Sequence, residues 1–228
     1  MTRFLITGAA RGIGRELARQ ALAGGDQVVA TVRPGGESAL DPLKAEAGDR
    51  LSVLVMDVRE PAMVVAAAAA FAEPIDVLIN NAGIIGPARQ ATVDMDFDGF
   101  ADTLAVNTLG PLRVVQAFLK NLRLGDRPRI VTISSKMGSM SHQVSGRIAY
   151  RASKAAVNKV MQGLATDLRG DGIVVISMHP GWVRTDMGGG GADLAVEESA
   201  AGIYAVAKDI TLENTGCFIN YDGSAIPW

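Results

Sequence analysis

Short apolar segments separated by helix-length stretches are the feature that most constrains how this chain folds. The apolar segments cover residues 3–6, 27–32, 51–56, 76–79, 129–133, 174–178 and 217–219. Their hydrophobicity is continuous rather than alternating, which is typical of strands covered on both faces. We therefore expect a mostly parallel sheet of about seven strands, buried between layers of helices.

The stretches between these strands have the length and composition of helices. They cover residues 12–23, 61–72, 97–122, 150–169 and 196–208, and many are rich in alanine and leucine, which favour the helical state. Alternation of strand and helix requires right-handed crossovers and places helices on both sides of the sheet. The predicted fold class is α/β, a single doubly wound Rossmann-type domain over residues 1–228,.

The composition narrows the kinds of partner. The 228 residues carry a formal net charge of −2, and 48% are hydrophobic and 20% charged, as in ordinary globular proteins. No block of like charges provides a footprint for nucleic acid or an anionic membrane, so small molecules are the expected partners. Cys217 is the only cysteine, which excludes an intramolecular disulfide; we interpret it as a small buried apolar residue.

Two further features favour a cytoplasmic location. The longest uncharged apolar stretch, residues 62–72, is much shorter than the roughly 20 residues that span a bilayer. Strand-like sequence begins by Phe4, which leaves no room for a signal peptide. We therefore predict a cytoplasmic protein.

A glycine-rich turn follows the first strand and leads directly into a helix. Residues 7–14 are Thr-Gly-Ala-Ala-Arg-Gly-Ile-Gly. Glycines permit a tight turn and allow the backbone to approach a pyrophosphate, whose charge then meets the free N–H groups of the helix N-terminus. The turn predicts a nucleotide site.

Tyr150 and Lys154 stand four residues apart in a predicted helix. Residues at this spacing share a helix face, so the ammonium can lie near the phenol. A nearby cation lowers the pKa of a phenol and makes it a usable general acid. The alternative for this pair alone is an aromatic packing residue beside a solvated charge.

The spacing of Gly8, Gly12 and Gly14 is one residue wider than the common dinucleotide fingerprint and resembles that of the short-chain dehydrogenase/reductase family. Further motifs extend the resemblance from Thr7 to Trp228. They are Asn-Asn-Ala-Gly at 80–83, Tyr-Arg-Ala-Ser-Lys at 150–154 and Pro-Gly-Trp-Val-Arg-Thr at 180–185. In detail the sequence looks most like the sniffer and C-factor-like carbonyl reductase branch.

The resemblance implies a set of cofactor contacts. Asp57 and the Val58 N–H would hold the adenine, and the segment 180–185 would contact the nicotinamide carboxamide. Asn81 would lie along the cofactor; its alternative is a turn residue that satisfies its own backbone. The predicted cofactor residues are Gly8, Arg11, Gly12, Ile13, Gly14, Arg33, Asp57, Val58, Asn81, Ala82, Gly83, Tyr150, Lys154, Pro180, Gly181, Val183 and Thr185.

The end of the second strand favours NADP(H) over NAD(H). An NAD site has an acidic residue there to hold the ribose 2′-hydroxyl, but this chain has Thr31-Val32-Arg33. Arg33, together with Arg11 in the glycine turn, offers guanidinium groups suited to a 2′-phosphate. The alternative is that both arginines are merely solvated.

The resemblance also implies a catalytic set, which consists of Asn107, Ser135, Tyr150 and Lys154. Ser135 would hold the substrate carbonyl, and Tyr150 would donate a proton as hydride arrives at carbon. Lys154 would bind the nicotinamide ribose, and Asn107 would hold a water that links Lys154 to solvent. Ser134 competes with Ser135 for its role; the resemblance favours the second serine.

These features predict an oxidoreductase that transfers hydride between NADP(H) and a carbonyl or alcohol substrate. One alternative is a cofactor-binding signalling or sensor protein with little turnover. The other is a 3-oxoacyl-carrier-protein reductase, which needs a basic docking patch that this acidic chain does not obviously show. Either alternative retains the same fold.

Substrate specificity is expected to depend on residues 136–147 and on a flap at about 185–195, which contains glycines 188–191. Flexible glycine-rich loops of this kind can serve as lids, and an inert surface turn is the competing interpretation. Residues that could line an apolar pocket or fill the core are Met137, Met140, Trp182 and Met187,.

The two histidines, His142 and His179, are too few for a metal site, and we interpret them as structural or pocket-lining,. No metal is therefore implied. The resemblance implies that the long helices at 97–122 and 150–169 would form the interfaces of a homo-oligomer, dimer or tetramer, with a monomer as the alternative.

Overall fold

The computed structural model describes residues 1–141 and 143–228. The expectation for His142 lies outside the described residues. The strands are β1 (Arg3–Ile6), β2 (Gln27–Val32), β3 (Leu51–Val55), β4 (Val77–Asn80), β5 (Gln90–Ala91), β6 (Asp94–Met95), β7 (Arg129–Ile133), β8 (Val174–His179) and β9 (Phe218–Asn220). The α-helices are α1 (Gly12–Ala23), α2 (Asp41–Ala47), α3 (Pro61–Ala69), α4 (Phe97–Leu104), α5 (Gly110–Arg123), α6 (Ile148–Asp167) and α7 (Val196–Asp209).

One seven-stranded sheet has the order β3-β2-β1-β4-β7-β8-β9, and every neighbouring pair in it is parallel. This arrangement confirms the predicted α/β fold class, and strand bounds differ from the predicted ones by at most a residue at either end. The strand order reverses between β1 and β4. In open parallel sheets, ligands bind in the crevice at the carboxyl ends of the strands where such a reversal occurs.

The two faces of β1 explain why its hydrophobicity is continuous. Phe4 and Ile6 belong to one apolar cluster with Leu17 of α1, whereas Leu5 belongs to a second cluster with Phe118 of α5. All five side chains are almost fully buried, and burial of each contributes about 1.5–3 kcal/mol. Helices therefore cover both sides of the sheet and leave its carboxyl edge for the site.

The structure corrects the long helix predicted at 97–122. It is divided into α4 and α5 by a π-helical turn at Ala105–Leu109. Pro111 has no N–H to donate to the carbonyl of Asn107, four residues earlier, so regular α-helical bonding cannot continue through this point. Such turns often occur at functional sites.

Smaller elements were missed by the sequence patterns. Helix α2 was not predicted, and neither was the antiparallel pair of β5 and β6. Two-residue strands are too short to show a periodicity. Cys217 is half-buried at the edge of the first apolar cluster rather than buried as expected. Among the described residues, no helix has both the length and the hydropathy needed to cross a bilayer.

Candidate active site

The glycine turn between β1 and α1 is packed closely against the turn after β4. A Cβ atom on Gly14 would lie 2.4 Å from Asn81 Nδ2 and 2.6 Å from the Gly8 carbonyl oxygen. No side chain fits there without moving the backbone or Asn81. The turn therefore keeps its backbone exposed toward the crevice, where the first N–H groups of α1 are without helical acceptors.

Thr7 and Asn81 lock the ends of β1 and β4 together. The Thr7 hydroxyl oxygen accepts hydrogen bonds from the N–H groups of Asn81 and Ala82, both at 3.0 Å. Asn81 Nδ2 in turn donates to the carbonyl oxygens of Thr7 and Gly8, at 2.9 and 3.2 Å. Asn81 thus supports the glycine turn of the neighbouring strand rather than its own backbone.

The two arginines predicted to meet a 2′-phosphate have different surroundings. Arg11 is exposed and forms an ion pair with Asp186, which follows β8 on the other side of the crevice. Arg33 is exposed directly after β2, and its charge helps to lower the pKa of Asp57. Within residues 1–141 and 143–228, no carboxylate forms a salt bridge with Arg33.

Asp57 is held by a residue that the sequence analysis did not select. The Arg59 side chain donates to Asp57 at 2.9 Å and also reaches Asp102 at 3.1 Å. The Arg59 backbone N–H donates to Asp57 Oδ1 at 2.9 Å. Hydrogen bonding by Arg59 keeps the pKa of Asp57 below its usual value, so the carboxylate stays ionised at the edge of the crevice.

Tyr150 lies in the first turn of α6 and is 8% exposed. Its backbone N–H donates to Gln90 Oε1 at 3.1 Å, and its carbonyl oxygen accepts from Ser153 Oγ at 2.7 Å. Gln90 is itself fixed by donating to the carbonyl oxygens of Ile85 and Pro87. Gln90 and Ser153, neither predicted, therefore fix the position of the tyrosine backbone.

Lys154 lies one helical turn after Tyr150 and is 5% exposed. Its Nζ atom is 5.7 Å from the centroid of the Tyr150 ring, and it donates a 2.8 Å hydrogen bond to the Ile133 carbonyl oxygen at the end of β7. The predicted proximity of the amine and the ring is thus present. Burial lowers the pKa of Lys154 to about 8.

Burial in this structure shifts the pKa of Tyr150 in the direction opposite to the predicted lowering. Burial raises the pKa of Tyr150, and this effect exceeds the opposing effects of hydrogen bonding by Ser135 and of the Arg147 charge. The physical reason is that exclusion of water penalises the phenolate, while the Lys154 ammonium is directed to the Ile133 carbonyl. The phenol is therefore protonated at neutral pH.

The buried amine gives a prediction about stability. We expect Lys154→Met to raise the free energy of unfolding at pH 7 by about 2 kcal/mol. A pKa that falls from 10.5 to about 8 on folding corresponds to roughly 3 kcal/mol, and loss of the bond to Ile133 offsets roughly 1 kcal/mol. Denaturant unfolding at several pH values measures the difference.

The pH dependence of this difference has a definite sign. Between about pH 8 and 10.5, the unfolded chain binds more protons at Lys154 than the folded protein, so this residue makes wild-type stability rise with pH. The advantage of Lys154→Met should therefore shrink over that range. Lys159→Met, on the exposed part of the same helix, is the control and should change stability little. If Lys154→Met were less stable than wild type at pH 7, burial of the Lys154 ammonium would not be the destabilising feature that we infer.

Asn107 lies in the π-helical turn and is 1% exposed. Its Nδ2 atom donates to the Ile84 carbonyl oxygen at 2.8 Å and to Ser153 Oγ at 3.0 Å, while Oδ1 accepts from the Ile84 N–H at 2.9 Å. A Cβ atom on Gly83 would lie 3.3 Å from Asn107 Oδ1 and 3.7 Å from Lys154 Nζ. The asparagine, the lysine and the glycine thus meet at one point.

The two serines after β7 face different neighbours. Ser134 donates to Asn158 Oδ1 of α6 at 2.6 Å, whereas Ser135 Oγ accepts from the Met137 N–H at 3.1 Å. Ser135 lines the same cleft as Tyr150, and its side chain opposes the rise of the Tyr150 pKa. Ser135 is therefore available to a ligand at the phenol, while Ser134 is used in packing β7 against α6.

A cleft of about 480 Å³ is lined largely by residues that follow β7 and β8. Tyr150 and Ser135 line it, together with Ile13 from the first turn of α1 and residues of the segment after β8, including Pro180, Gly181, Val183 and Thr185. His179 also lines the cleft, and burial lowers its pKa to about 4. The cleft is therefore continuous from the glycine turn to the phenol.

The walls of the cleft are mainly apolar. Met137, Trp182 and Met187 line it, whereas Met140, which was grouped with them, is 81% exposed and is not part of the wall. The flap predicted at about 185–195 folds back onto the segment that precedes it, because Trp182 Nε1 donates to the Gly188 carbonyl oxygen at 2.9 Å. Its mobility stays a prediction. In the described part of the chain, no group of His, Cys, Asp and Glu side chains is arranged to hold a metal ion.

Comparison with known proteins agrees with this geometry. The family model described as short chain dehydrogenase matches residues 2–192. Among curated proteins, the chain is similar to the C-signal of Myxococcus xanthus, with 44% identity over 156 residues that cover 68% of this chain and 93% of that protein.

Solved structures are similar over the whole chain. The NADPH-bound carbonyl reductase from chicken fatty liver has a TM-score of 0.92 and 31% identity, and the match covers 100% of this chain and 99% of that one. The carbonyl reductase Sniffer of D. melanogaster has a TM-score of 0.91 and 31% identity, with 100% of both chains covered.

Proposed function

The chain belongs to the short-chain dehydrogenase/reductase family, near its sniffer and C-factor-like carbonyl reductase branch, and from this premise we propose that it reduces carbonyl compounds with NADPH. The observation that carries the proposal is a buried, protonated Tyr150 that faces a cleft beside Ser135. A general acid and a hydrogen-bonding hydroxyl at one point suit the conversion of a carbonyl oxygen to an alcohol.

The residues around the crevice fit a dinucleotide. The close packing of Gly14 on Asn81 leaves backbone N–H groups of the glycine turn for a pyrophosphate,. Asp57 and Val58 would hold the adenine at the end of β3, and Thr185 lies over the turn, with its Cγ2 atom 3.6 Å from where a Cβ on Gly12 would be. The other cofactor residues predicted in the sequence analysis belong to the proposed site as well.

We propose NADP(H) as the preferred cofactor because of Arg33. Its guanidinium is exposed at the end of β2, where a 2′-phosphate would lie, and no carboxylate of the described residues forms a salt bridge with it. The similar carbonyl reductase from chicken fatty liver was solved with NADPH bound. Arg11 would join Arg33 after exchanging Asp186 for the phosphate.

The chain's own groups can carry out the proton half of the reaction. Bound NADPH would supply hydride to the carbonyl carbon. Ser135 would donate a hydrogen bond to the carbonyl oxygen and orient it, and Tyr150 would transfer its phenolic proton to that oxygen as negative charge develops. A phenol whose pKa is raised by burial is in the protonated form that reduction needs.

Lys154 and Asn107 are suited to restoring the proton. The Lys154 ammonium lies beside the Tyr150 ring and, with a pKa of about 8, exchanges protons readily near neutrality. The backbone carbonyl of Asn107 cannot accept the usual α-helical hydrogen bond from residue 111, because residue 111 is proline and has no N–H,. In the proposal this carbonyl holds a water that connects the lysine to solvent.

The test is consumption of NADPH by the purified protein in the presence of aldehydes, ketones and quinones. We expect steady-state loss of NADPH absorbance with at least some of these compounds, and formation of the corresponding alcohols or hydroquinones. NADH should support slower turnover at the same concentration. Tight NADPH binding with no turnover of any of these compounds would count against the proposed reductase function.

A signalling or sensor role is the second candidate, and the similarity to the C-signal of Myxococcus xanthus favours it. Binding of NADPH without turnover in the same assay is the result that supports it. The alternative of a 3-oxoacyl-carrier-protein reductase needs a basic patch near the cleft. Three basic side chains, those of Lys136, Arg147 and Arg151, do line the cleft.

A further inference from the structure

Three basic side chains line the part of the cleft that is formed by residues 136–151. They are Lys136, Arg147 and Arg151, and no Asp or Glu is among the described residues of the lining. None of the three forms a salt bridge with a described carboxylate. The positive charge at this end of the cleft is therefore not neutralised by the described part of the chain.

Two of these cations act directly on the centre of the cleft. The Arg147 charge lowers the pKa of Tyr150, and the Lys136 charge lowers the pKa of His179, in each case as a smaller effect than burial. His179 is consequently neutral and does not compete with the cations for an anion. A ligand bound at the phenol would thus be within the field of both charges.

The backbone of Arg147 is held in an unusual conformation. Its φ is 52°, in the left-handed region, at the residue that precedes the first turn of α6. This conformation is uncommon for residues other than glycine and is often found at ligand sites. Arg151 supports the segment, because its Nε donates to the Gly146 carbonyl oxygen at 2.9 Å. The loop is thus tied in place while Arg147 stays exposed.

The rest of this end of the cleft is apolar. Met137, Val144 and Trp182 contribute to its wall, and Trp182 and Val144 are more than half exposed to solvent. A ligand that fits both features has an apolar body and an anionic end. The basic side chains lie near the mouth, where the anionic end could keep part of its hydration.

We propose that the preferred substrates are apolar or aromatic carbonyl compounds that carry a carboxylate or phosphate group, bound by Arg147 and Lys136. This inference rests on the proposed reductase function and names its substrate class. Arg147 and Lys136 act as specificity residues: they bind the anionic end and do not themselves donate hydride or a proton. Charge-assisted hydrogen bonds to such an anion are stronger than neutral ones.

The test compares aldehydes that share a ring and differ in charge. The probes are 4-formylbenzoate, 4-formylphenyl phosphate and methyl 4-formylbenzoate, each assayed with NADPH. The quantity of interest is kcat/KM for each anion divided by kcat/KM for the ester, in wild type and then in Arg147→Gln and Lys136→Gln. Because intrinsic aldehyde reactivity is the same in every variant, it cancels when these ratios are compared between proteins.

We expect each substitution to lower the ratio by about 5- to 20-fold for at least one of the two anions, mainly through KM. Turnover of the ester should fall much less than turnover of the anions, and the anion preference of wild type should weaken as NaCl rises from about 50 to 500 mM. Comparison of the carboxylate with the phosphate shows which anion the site prefers. Lys120→Gln, an exposed position in the last turn of α5, is the control and should leave the ratio unchanged.

Ratios that are the same in wild type and both variants would overturn the proposal. An acetoacetyl carrier protein is assayed beside these aldehydes. If the two substitutions lower its turnover but leave the ratios of both small anions unchanged, the proposal is overturned in favour of a macromolecular partner. If no aldehyde, including the ester, is turned over, the reductase function fails separately. Calorimetric titration of 4-formylbenzoate into the NADP⁺-loaded protein then tests the anion site: weaker binding by Arg147→Gln supports it, and equal binding rejects it.

Discussion

Tyr150→Phe is expected to lower kcat for carbonyl reduction by about 10²- to 10⁴-fold, the usual contribution of a general acid. The substitution removes the phenolic oxygen and keeps the ring that fills the space between Ser135 and Lys154. Binding of NADPH should change by no more than about twofold, because a single phenolic hydroxyl contributes little to the binding of a large ligand. Steady-state kinetics and fluorescence titration of the cofactor measure the two effects separately.

The structure supplies a matched control for this substitution. Tyr221 is half-buried, and its hydroxyl makes no side-chain hydrogen bond within the described residues. Tyr221→Phe should therefore keep close to wild-type turnover. If Tyr150→Phe kept more than about a tenth of the wild-type kcat, another group would have to donate the proton and the proposed role of Tyr150 would be wrong.

Most of the fold could be predicted from the sequence because the sheet is buried on both faces. Residues such as Phe4, Leu5 and Ile6 must all be apolar when helices cover both sides, and this leaves a pattern that is easy to recognise. The π-helical turn at Ala105–Leu109 was missed for a different reason. Its hydrophobic pattern remains helical, and only the missing N–H of Pro111 indicated an interruption.

In the candidate site, too, some features were predictable from the sequence and others were not. Spacing along a helix was enough to predict that Lys154 lies near Tyr150, since that proximity is local. The direction of the Tyr150 pKa shift was not predictable, because it depends on how completely packing excludes water from the phenol,. Sequence motifs do not report that quantity.

Supporting residues were the hardest to find from the sequence. Gln90 fixes the backbone of Tyr150 across 60 residues, and Arg11 pairs with Asp186 across 175 residues. Contacts of such long range depend on strand order, so no local spacing reveals them. Arg59 is an exception: it lies two residues after Asp57, and an arginine beside a carboxylate at the end of a strand was a visible signal.

The second large effect concerns the choice of cofactor. We expect Arg33→Asp to lower the preference for NADPH over NADH, measured as the ratio of the two kcat/KM values, by about 10²-fold or more. The substitution removes the proposed charge-assisted contact to the 2′-phosphate, which would be worth roughly 1.5–3 kcal/mol. It also places a carboxylate where an NAD site has one for the ribose 2′-hydroxyl, so affinity for NADH should rise as affinity for NADPH falls.

Two further variants separate this role of Arg33 from a general effect of charge. Arg11→Gln should change the cofactor preference less, because the Arg11 guanidinium already has Asp186 as a partner, which a 2′-phosphate would have to displace. Lys120→Asp makes the same change of net charge in the last turn of α5. This turn leads into β7 and therefore lies at the amino ends of the strands, whereas the crevice lies at their carboxyl ends. Lys120→Asp should leave the cofactor preference unchanged. Equal preference in Arg33→Asp and wild type would show that the 2′-phosphate is not held at the end of β2. A loss of affinity for both cofactors in the Arg33 variant would instead place Arg33 beside a part that NADPH and NADH share, such as the adenine next to Asp57.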